Sequence, residues 1–333
     1  MRAAYERIRA AIERTPLLEL APGTWIKAES LQRTGSFKLR GALNALARGL
    51  PEIQDVGVVV HSSGNHAQAV AHAARRLSVR ATCVMPCTAP AVKRERVTRL
   101  GAEIVEVGPA SDERATVARD LAQRHGARLI PSSGDPAGQG TVGLELVEQL
   151  PRSPALSEHG PLDERGAGVL VLVPIGGGGL ASGVALAVKA LWPDARVVGV
   201  EPHLAADAQA SLAAGEIVGW PAAEVGRTIA DGLRHTSIGP LAFAHLRTLL
   251  DGVVAVEEQE IMEAMAHLAE DGRLTVEPSG AVSVAALRHH RDELPAARYS
   301  VCVVSGGNVD LAHYARWVKD GIEFRHATSR REP

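Results

Sequence analysis

The sequence predicts an α/β fold built from doubly wound units. Short unalternated apolar runs alternate with helical patterns along the chain, three of those runs end in glycine- or serine-rich turns, and 333 residues suit two domains of ordinary size or one large α/β unit. The runs "GVVV", "ATCVMP", "AEIVEV", "VLVLVP", "RVVGVEP" and "YSVCVV" read as parallel strands buried on both faces. In such sheets ligands collect beyond the carboxyl ends of strands, so the turns that follow them are where chemistry is sought.

The opening "MRAAYERIRAAIERTP" predicts a helix ended by Pro16 and lacks the apolar core of a signal peptide. Next, "GSFKLRGA" at residues 35–42 sets Lys38 behind an aromatic ring. A lysine at a helix start usually keeps its ammonium in water. Among apolar neighbours, desolvation favours the neutral, nucleophilic amine that a Schiff base requires. Both readings stand at this point.

In "HSSGNHAQA", residues 61–69, Ser62, Ser63 and Asn65 crowd Gly64 at a strand-to-helix turn. Hydroxyls, an amide and free N–H groups there either cap a helix or hold a carboxylate or phenolate. The stretch lacks the G-x-S-x-G elbow of a serine hydrolase. His61 and His66 lack the spacing of a helical metal pair and read as structural. After Pro131, "SSGDPA" leads into "GQGT", and residues 151–168 read as a surface connection.

Residues 166–188 carry no charge, the length of a membrane span, but Pro174 and the four glycines after it break any continuous helix. Strand, loop and helix are expected instead. In "PIGGGGLASG" the backbone can approach a ligand closely, and a helix starting near Leu180 aims N–H groups at an anion. Without a following Lys-Ser/Thr this is no P-loop. A dinucleotide fingerprint is the rival, since Gly176, Gly178 and Ala181 fit G-x-G-x-x-A with Glu201 ending the next strand. Finally, "VVSGGNVD" exposes the Ser305 hydroxyl at a strand end, and the terminal "HATSRREP" is expected to fray.

Hydrophobic residues make up 46% and charged residues 22%, as in a globular chain, and a formal charge of -2 offers no basic field for nucleic acid or an anionic membrane. Three cysteines, Cys83, Cys87 and Cys302, make neither a disulfide framework nor a zinc site, which points to a cytoplasmic protein acting on a small molecule.

Together, "ESLQRTGSFKLRGALNAL", "HSSGNHAQAVAHAA", "AGQGTVGLEL", "PIGGGGLASGVALAVKAL", "GVEP", "IADGL", "VEPSGA" and "SGGNVD" resemble, in order, the fold-type II pyridoxal-phosphate enzymes, within them the threonine/serine dehydratase and serine racemase group. The resemblance covers nearly the whole chain and decides the glycine loop for phosphate. It implies a tryptophan synthase β-like fold: a larger domain from residues 1–46 and 137–325, a smaller one from 47–136, the cofactor between them, and no C-terminal regulatory domain. It implies Lys38 as the lysine carrying pyridoxal 5'-phosphate, Phe37 beside the ring, and Gly176, Gly177, Gly178 and Gly179 around the phosphate. Asn65 is implied for the ring hydroxylate, Ser305 for the pyridine nitrogen and Glu277 for the ring edge. A hydroxyl on that nitrogen leaves it neutral, which suits β-elimination better than transamination.

Ser62, Ser63, Gly64 and His66 are implied for the amino-acid substrate. Glu201 and Asp207 as carboxylates and Ala205 as a carbonyl are implied for Mg²⁺ or Ca²⁺, a hard-oxygen set. The implied reaction turns L-threonine into 2-oxobutanoate, or L-serine into pyruvate, with release of ammonia. Alternatives are serine racemase, with Lys38 and Ser63 as bases on opposite faces, a dehydratase of hydroxyaspartate or phenylserine, and a non-catalytic binding protein. A homodimer is expected, and isoleucine feedback is not. One departure is the shortened stretch after Pro131: either Ser132 and Ser133 bear on which β-hydroxy amino acid fits, or the stretch is a neutral loop deletion.

Overall fold

A computed structural model describes the chain except residues 63, 90, 109–110, 132–134, 154–155, 157–159 and 330–333. The six expected runs form β3 (Val58–His61), β4 (Ala81–Pro86), β5 (Glu103–Val107), β7 (Val169–Pro174), β8 (Arg196–Pro202) and β10 (Tyr299–Val304), and the structure adds β1 (Leu17–Ala21), β2 (Thr24–Ala28), β6 (Arg128–Leu129) and β9 (Gly252–Val256), which the sequence reading did not name. They build a six-stranded sheet in the order β1-β2-β10-β7-β8-β9 and a four-stranded sheet in the order β5-β4-β3-β6. Every pairing is parallel except the β1–β2 hairpin.

Parallel pairing explains the unalternated runs, because side chains on both faces need cover. Along β7, Val169, Val171 and Val173 enter one core with Trp25, Val301 and Val303, while Leu170 and Leu172 enter another with Ile26, Cys302 and Val304. β5 departs from the expectation of full burial. As the outer strand of the smaller sheet it has one neighbour, and Glu103 and Glu106 face solvent.

Two helix expectations need correcting. The N-terminal helix spans only Arg2–Ile8, and Arg9 already closes it, well before Pro16. At the other end, the helix Leu311–Ser329 takes in His326, Ala327 and Thr328, which were expected to fray. The uncharged stretch resolves into β7, a glycine loop and the helix Gly179–Leu191. Among the described residues no helix is long and apolar enough to cross a membrane.

The helix Lys38–Arg48 is placed from both sides. Leu39, Leu43 and Leu46 pack with Ala67, Val70 and Ala71 of the helix Asn65–Arg76, each buried leucine contributing about 1.5–3 kcal/mol. On the opposite side, buried Arg40 makes forked hydrogen bonds of 2.8 Å to Glu29 and to Glu145, and buried Lys27 reaches Glu145 at 2.6 Å. Two cations meet two carboxylates there, so the cluster is charge-balanced. Removing one member would strand a buried charge at a cost of about 3–5 kcal/mol. The start of that helix, where Lys38 sits, is therefore fixed in space.

Candidate active site

The residues preceding Lys38 are stitched to the turn after β10. Gly35 adopts φ +72°, a conformation that favours glycine, and lets the chain turn back. Gly307 N–H donates to the Gly35 carbonyl at 2.9 Å, Ser36 bridges to Gly306, and Phe37 N–H donates to the Ser305 carbonyl at 3.1 Å. "GSFK" and "SGGN" thus lie side by side. The Ser305 hydroxyl is buried and donates to the Ser279 carbonyl at 3.3 Å.

Lys38 is half-buried, with Nζ 5.1 Å from the centroid of the Phe37 ring. Burial pulls its amine down to about 8, opposed by Glu277 only when that carboxyl is ionised. This is the desolvated alternative of the two that the sequence left open.

After β7, Gly178 takes φ +84° as the residue before the helix Gly179–Leu191. A Cβ at Gly178 would meet Ala242 at 2.5 Å, and one at Gly176 would meet His235 Nδ1 at 2.7 Å. Among the described residues, the amides of Gly176, Gly177 and Gly178 donate to no backbone carbonyl. A loop that admits no side chains and offers unpaired N–H groups at a helix start fits an anionic group.

The third turn follows β3. Gly64 N–H donates to Ser62 Oγ at 3.2 Å, and Asn65 opens its helix. Asn65 donates to Glu277 at 2.6 Å and accepts from Asn308 at 2.8 Å. Burial, then the charge of Asp231, pushes the Glu277 carboxyl up to about 8. His66 is buried, and burial followed by the charge of Lys38 pulls it down to about 3, so its ring is neutral.

These pieces line one cavity of about 340 Å³: Phe37, Lys38, Ser62, Gly64, Asn65 and His66 from one side, and Gly176 to Gly179, Glu277 and Ser305 from the other. Ser63 lies outside the described residues, as do Ser132 and Ser133. The expected cation ligands stand apart from the cavity. Glu201 ends β8, buried, and accepts from the amides of Ala208 and Gln209 at 3.0 and 2.8 Å. Among the described residues buried Asp207 has no hydrogen bond of good geometry on either carboxylate oxygen, its own amide and that of Ile238 lying near enough only to temper its raised pKa. Burial raises Asp207 to about 7, and burial plus the charge of Asp207 raises Glu201 well above its usual range. Among the described residues no cluster of three His, Cys, Asp or Glu side chains surrounds a metal position.

Among the cavity residues that escaped the sequence reading are the ionisable Lys93, Arg114, Asp231, Arg234 and His235. Lys93 is buried and ion-paired with Asp231. Arg114 makes no ion pair among the described residues, and its Nε is buried without a partner. None belongs to a glycine- or serine-rich turn that distinguishes it from a surface residue, although "IADGL" does contain Asp231.

The chain matches the family described as pyridoxal-phosphate dependent enzyme over residues 8–306. It belongs to that family. It is 40% identical to an L-threo-3-hydroxyaspartate ammonia-lyase of Pseudomonas sp over 326 residues, covering 95% of this chain and 96% of that protein. To an L-threonine ammonia-lyase of Geobacter sulfurreducens it is 39% identical, covering 96% of this chain and 77% of that one. Among solved structures, a maize serine racemase superposes with a TM-score of 0.84 at 37% identity, covering 98% of this chain and 97% of that one. The cofactor of this pyridoxal-phosphate enzyme is thereby established, and the cavity suits it: a desolvated amine, a side-chain-free anion cradle and a buried hydroxyl converge there.

Proposed function

We propose that this enzyme is an ammonia-lyase that removes water and then ammonia from a β-hydroxy-α-amino acid, leaving a 2-oxo acid. Within that class we place 3-hydroxyaspartate ahead of threonine and serine. The observation that carries this order is Arg114. Its guanidinium lines the cavity with no carboxylate partner among the described residues, and both burial and the nearby Arg114 charge hold His61 neutral. A desolvated, uncompensated cation gains most from a substrate that brings a second carboxylate. The full-length likeness to the Pseudomonas hydroxyaspartate lyase supports the same order.

In this reading, pyridoxal phosphate supplies an electron sink for the charge left on the α-carbon. Lys38 would hold the coenzyme through Nζ, and its free amine would take the α-proton of the substrate. An amine drawn down to about 8 is poised for that transfer near neutral pH. The amides of the glycine loop and the helix behind it hold the phosphate. Ser305 would turn its hydroxyl from the Ser279 carbonyl to the ring nitrogen, and the second N–H of Asn65 would serve the ring oxygen. Ser62 and the amides near Gly64 bind the α-carboxylate. The α C–H and β C–O bonds would break, the proton taken at Lys38 Nζ passing to the departing hydroxyl so that it leaves as water, and a second water would hydrolyse the C–N bond to release ammonia. Glu201, Asp207 and the Ala205 carbonyl would hold Mg²⁺ or Ca²⁺ away from the reaction, as a structural cation.

The test is a panel of L and D isomers of 3-hydroxyaspartate, threonine, serine and phenylserine, reading 2-oxo acid release and inversion at the α-carbon. The expected result is a kcat/KM for a 3-hydroxyaspartate isomer at least roughly tenfold above threonine, with Arg114→Leu collapsing the ratio through KM. Threonine preferred by wild type, with Arg114→Leu indifferent, overturns the substrate order. Absence of 2-oxo acid from every substrate overturns the lyase reading.

A further inference from the structure

His235 is a cavity group that the mechanism above leaves unused. It lies on the turn after Asp231–Leu233, and that turn is pinned. Gly232 N–H donates to Ser279 Oγ at 2.8 Å, His235 N–H donates to the Leu233 carbonyl at 2.7 Å, and the Arg234 guanidinium is spent on the Thr228 carbonyl at 2.9 and 2.5 Å. The imidazole is consequently fixed against the first glycine of the loop: a Cβ on Gly176 would come within 2.7 Å of Nδ1 and 3.0 Å of Cε1. Among the described residues Nδ1 is buried and makes no hydrogen bond of good geometry, the Leu233 carbonyl being near enough only to moderate the ring's lowered pKa.

A buried ring nitrogen without a partner is costly unless a ligand completes it. The ligand expected at the adjacent loop is a phosphate ester, whose oxygens accept more hydrogen bonds than a few backbone amides supply. Residues 174–183 contain no lysine or arginine, and Arg234 is engaged elsewhere, so the loop and the turn beside it bring only neutral donors.

We propose that His235 is a further ligand of the cofactor phosphate, with Nδ1–H donating to the ester held by Gly176 to Gly179. Burial, then the charge of Lys38, draws the imidazole down to about 4, so it is a neutral donor, and an adjoining dianion strengthens that bond. The proposal rests on the phosphate reading of the glycine loop.

The experiment measures the affinity of apoprotein for pyridoxal 5'-phosphate and for pyridoxal, which lacks the phosphate, in wild type, His235→Ala and His235→Asn, with the ³¹P shift of each phosphate-loaded protein. Wild type is expected to favour the phosphorylated form strongly. His235→Ala should lose roughly ten- to a hundredfold in affinity for it, the worth of one hydrogen bond to a charged acceptor, with a shifted ³¹P signal and pyridoxal binding unchanged. His235→Asn, which retains a donor, should recover part of the loss. Equal losses for both ligands, or no loss with a raised KM for the amino acid, overturn the proposal. If wild type itself shows no preference for the phosphorylated form, the glycine-loop reading fails instead.

Discussion

The side-chain amide of Asn65 donates to Glu277 at 2.6 Å. Asn65 follows β3 of the smaller sheet, whereas Glu277 precedes the helix Pro278–His289 packed on the larger one, so the bond spans the cavity. Burial, then the charge of Asp231, lifts the Glu277 carboxyl to about 8, so it holds its proton at neutral pH. One oxygen accepts from Asn65. The other, Oε2, is buried without a partner and can donate into the cavity.

A protonated Glu277 predicts an alkaline limb in the rate profile. As pH rises through about 8 the donor is lost and a charge appears beside the ring edge, so turnover should fall. Glu277→Gln keeps a neutral hydrogen-bonding group at every pH. It should retain activity to within roughly tenfold and remove that limb, whereas Glu277→Ala should lose more. Steady-state kcat from pH 6 to 9.5 for the three proteins decides this, and an unchanged limb in Glu277→Gln would assign it to another group.

Lys38 titrates in the opposite functional sense. Its neutral form is the nucleophile, so covalent attachment of the coenzyme to apoprotein should accelerate as pH rises and level off above about 8, not above the ordinary lysine range. Stopped-flow absorbance gives that profile. Lys38→Ala should lose the borohydride-stable adduct and at least roughly a thousandfold in turnover. Normal turnover in that variant would refute the assignment.

Much of this site was legible because its chemistry sits in turns that the backbone itself constrains. Gly176 and Gly178 announce a cradle since a side chain at either would strike its neighbours, and "GSFK" and "SGGN" carry the small residues that let two turns lie together. Lys93, Arg114, Asp231 and His235 were not legible. Their roles depend on tertiary placement, and a lysine or arginine in a charged helix reads locally as solvated surface. The same limit explains the N-terminal helix, whose apolar spacing continues past Ile8 although Ala11 and Ile12 bury themselves outside any helix. The early closure at Arg9 has no mark in the local sequence.

The cation reading has a stability signature. Asp207 is raised to about 7 from 3.8 in the unfolded chain, so the folded protein binds the extra proton between those values. Its contribution is therefore greatest at low pH and is lost as pH rises towards 7, unless a cation replaces the proton. With EDTA, Tm should fall from pH 5 to 8; with Mg²⁺ or Ca²⁺ most of the fall should disappear. In Asp207→Asn both the slope and the cation response should shrink. A cation response equal to wild type in Asp207→Asn would move the ion elsewhere.

At the other end of the chain the pH dependence reverses. Glu263 is buried in the helix Glu258–Glu270 and accepts from Arg288 at 2.7 and 2.8 Å, His289 at 3.0 Å and Arg325 of the C-terminal helix at 2.8 Å. Burial alone would raise its carboxyl, but the hydrogen bonds from His289 and Arg288 outweigh it and hold it at about 2. A folded value depressed below 4.5 gives stability that is complete above 4.5 and is lost as pH falls towards 2. Glu263→Gln should cost roughly 3 kcal/mol at pH 7, since it strands the guanidinium groups, and should flatten the stability profile below pH 4.5. Urea midpoints at pH 3, 4 and 7 measure both effects. Parallel profiles for variant and wild type would show that the acid sensitivity arises outside this clamp.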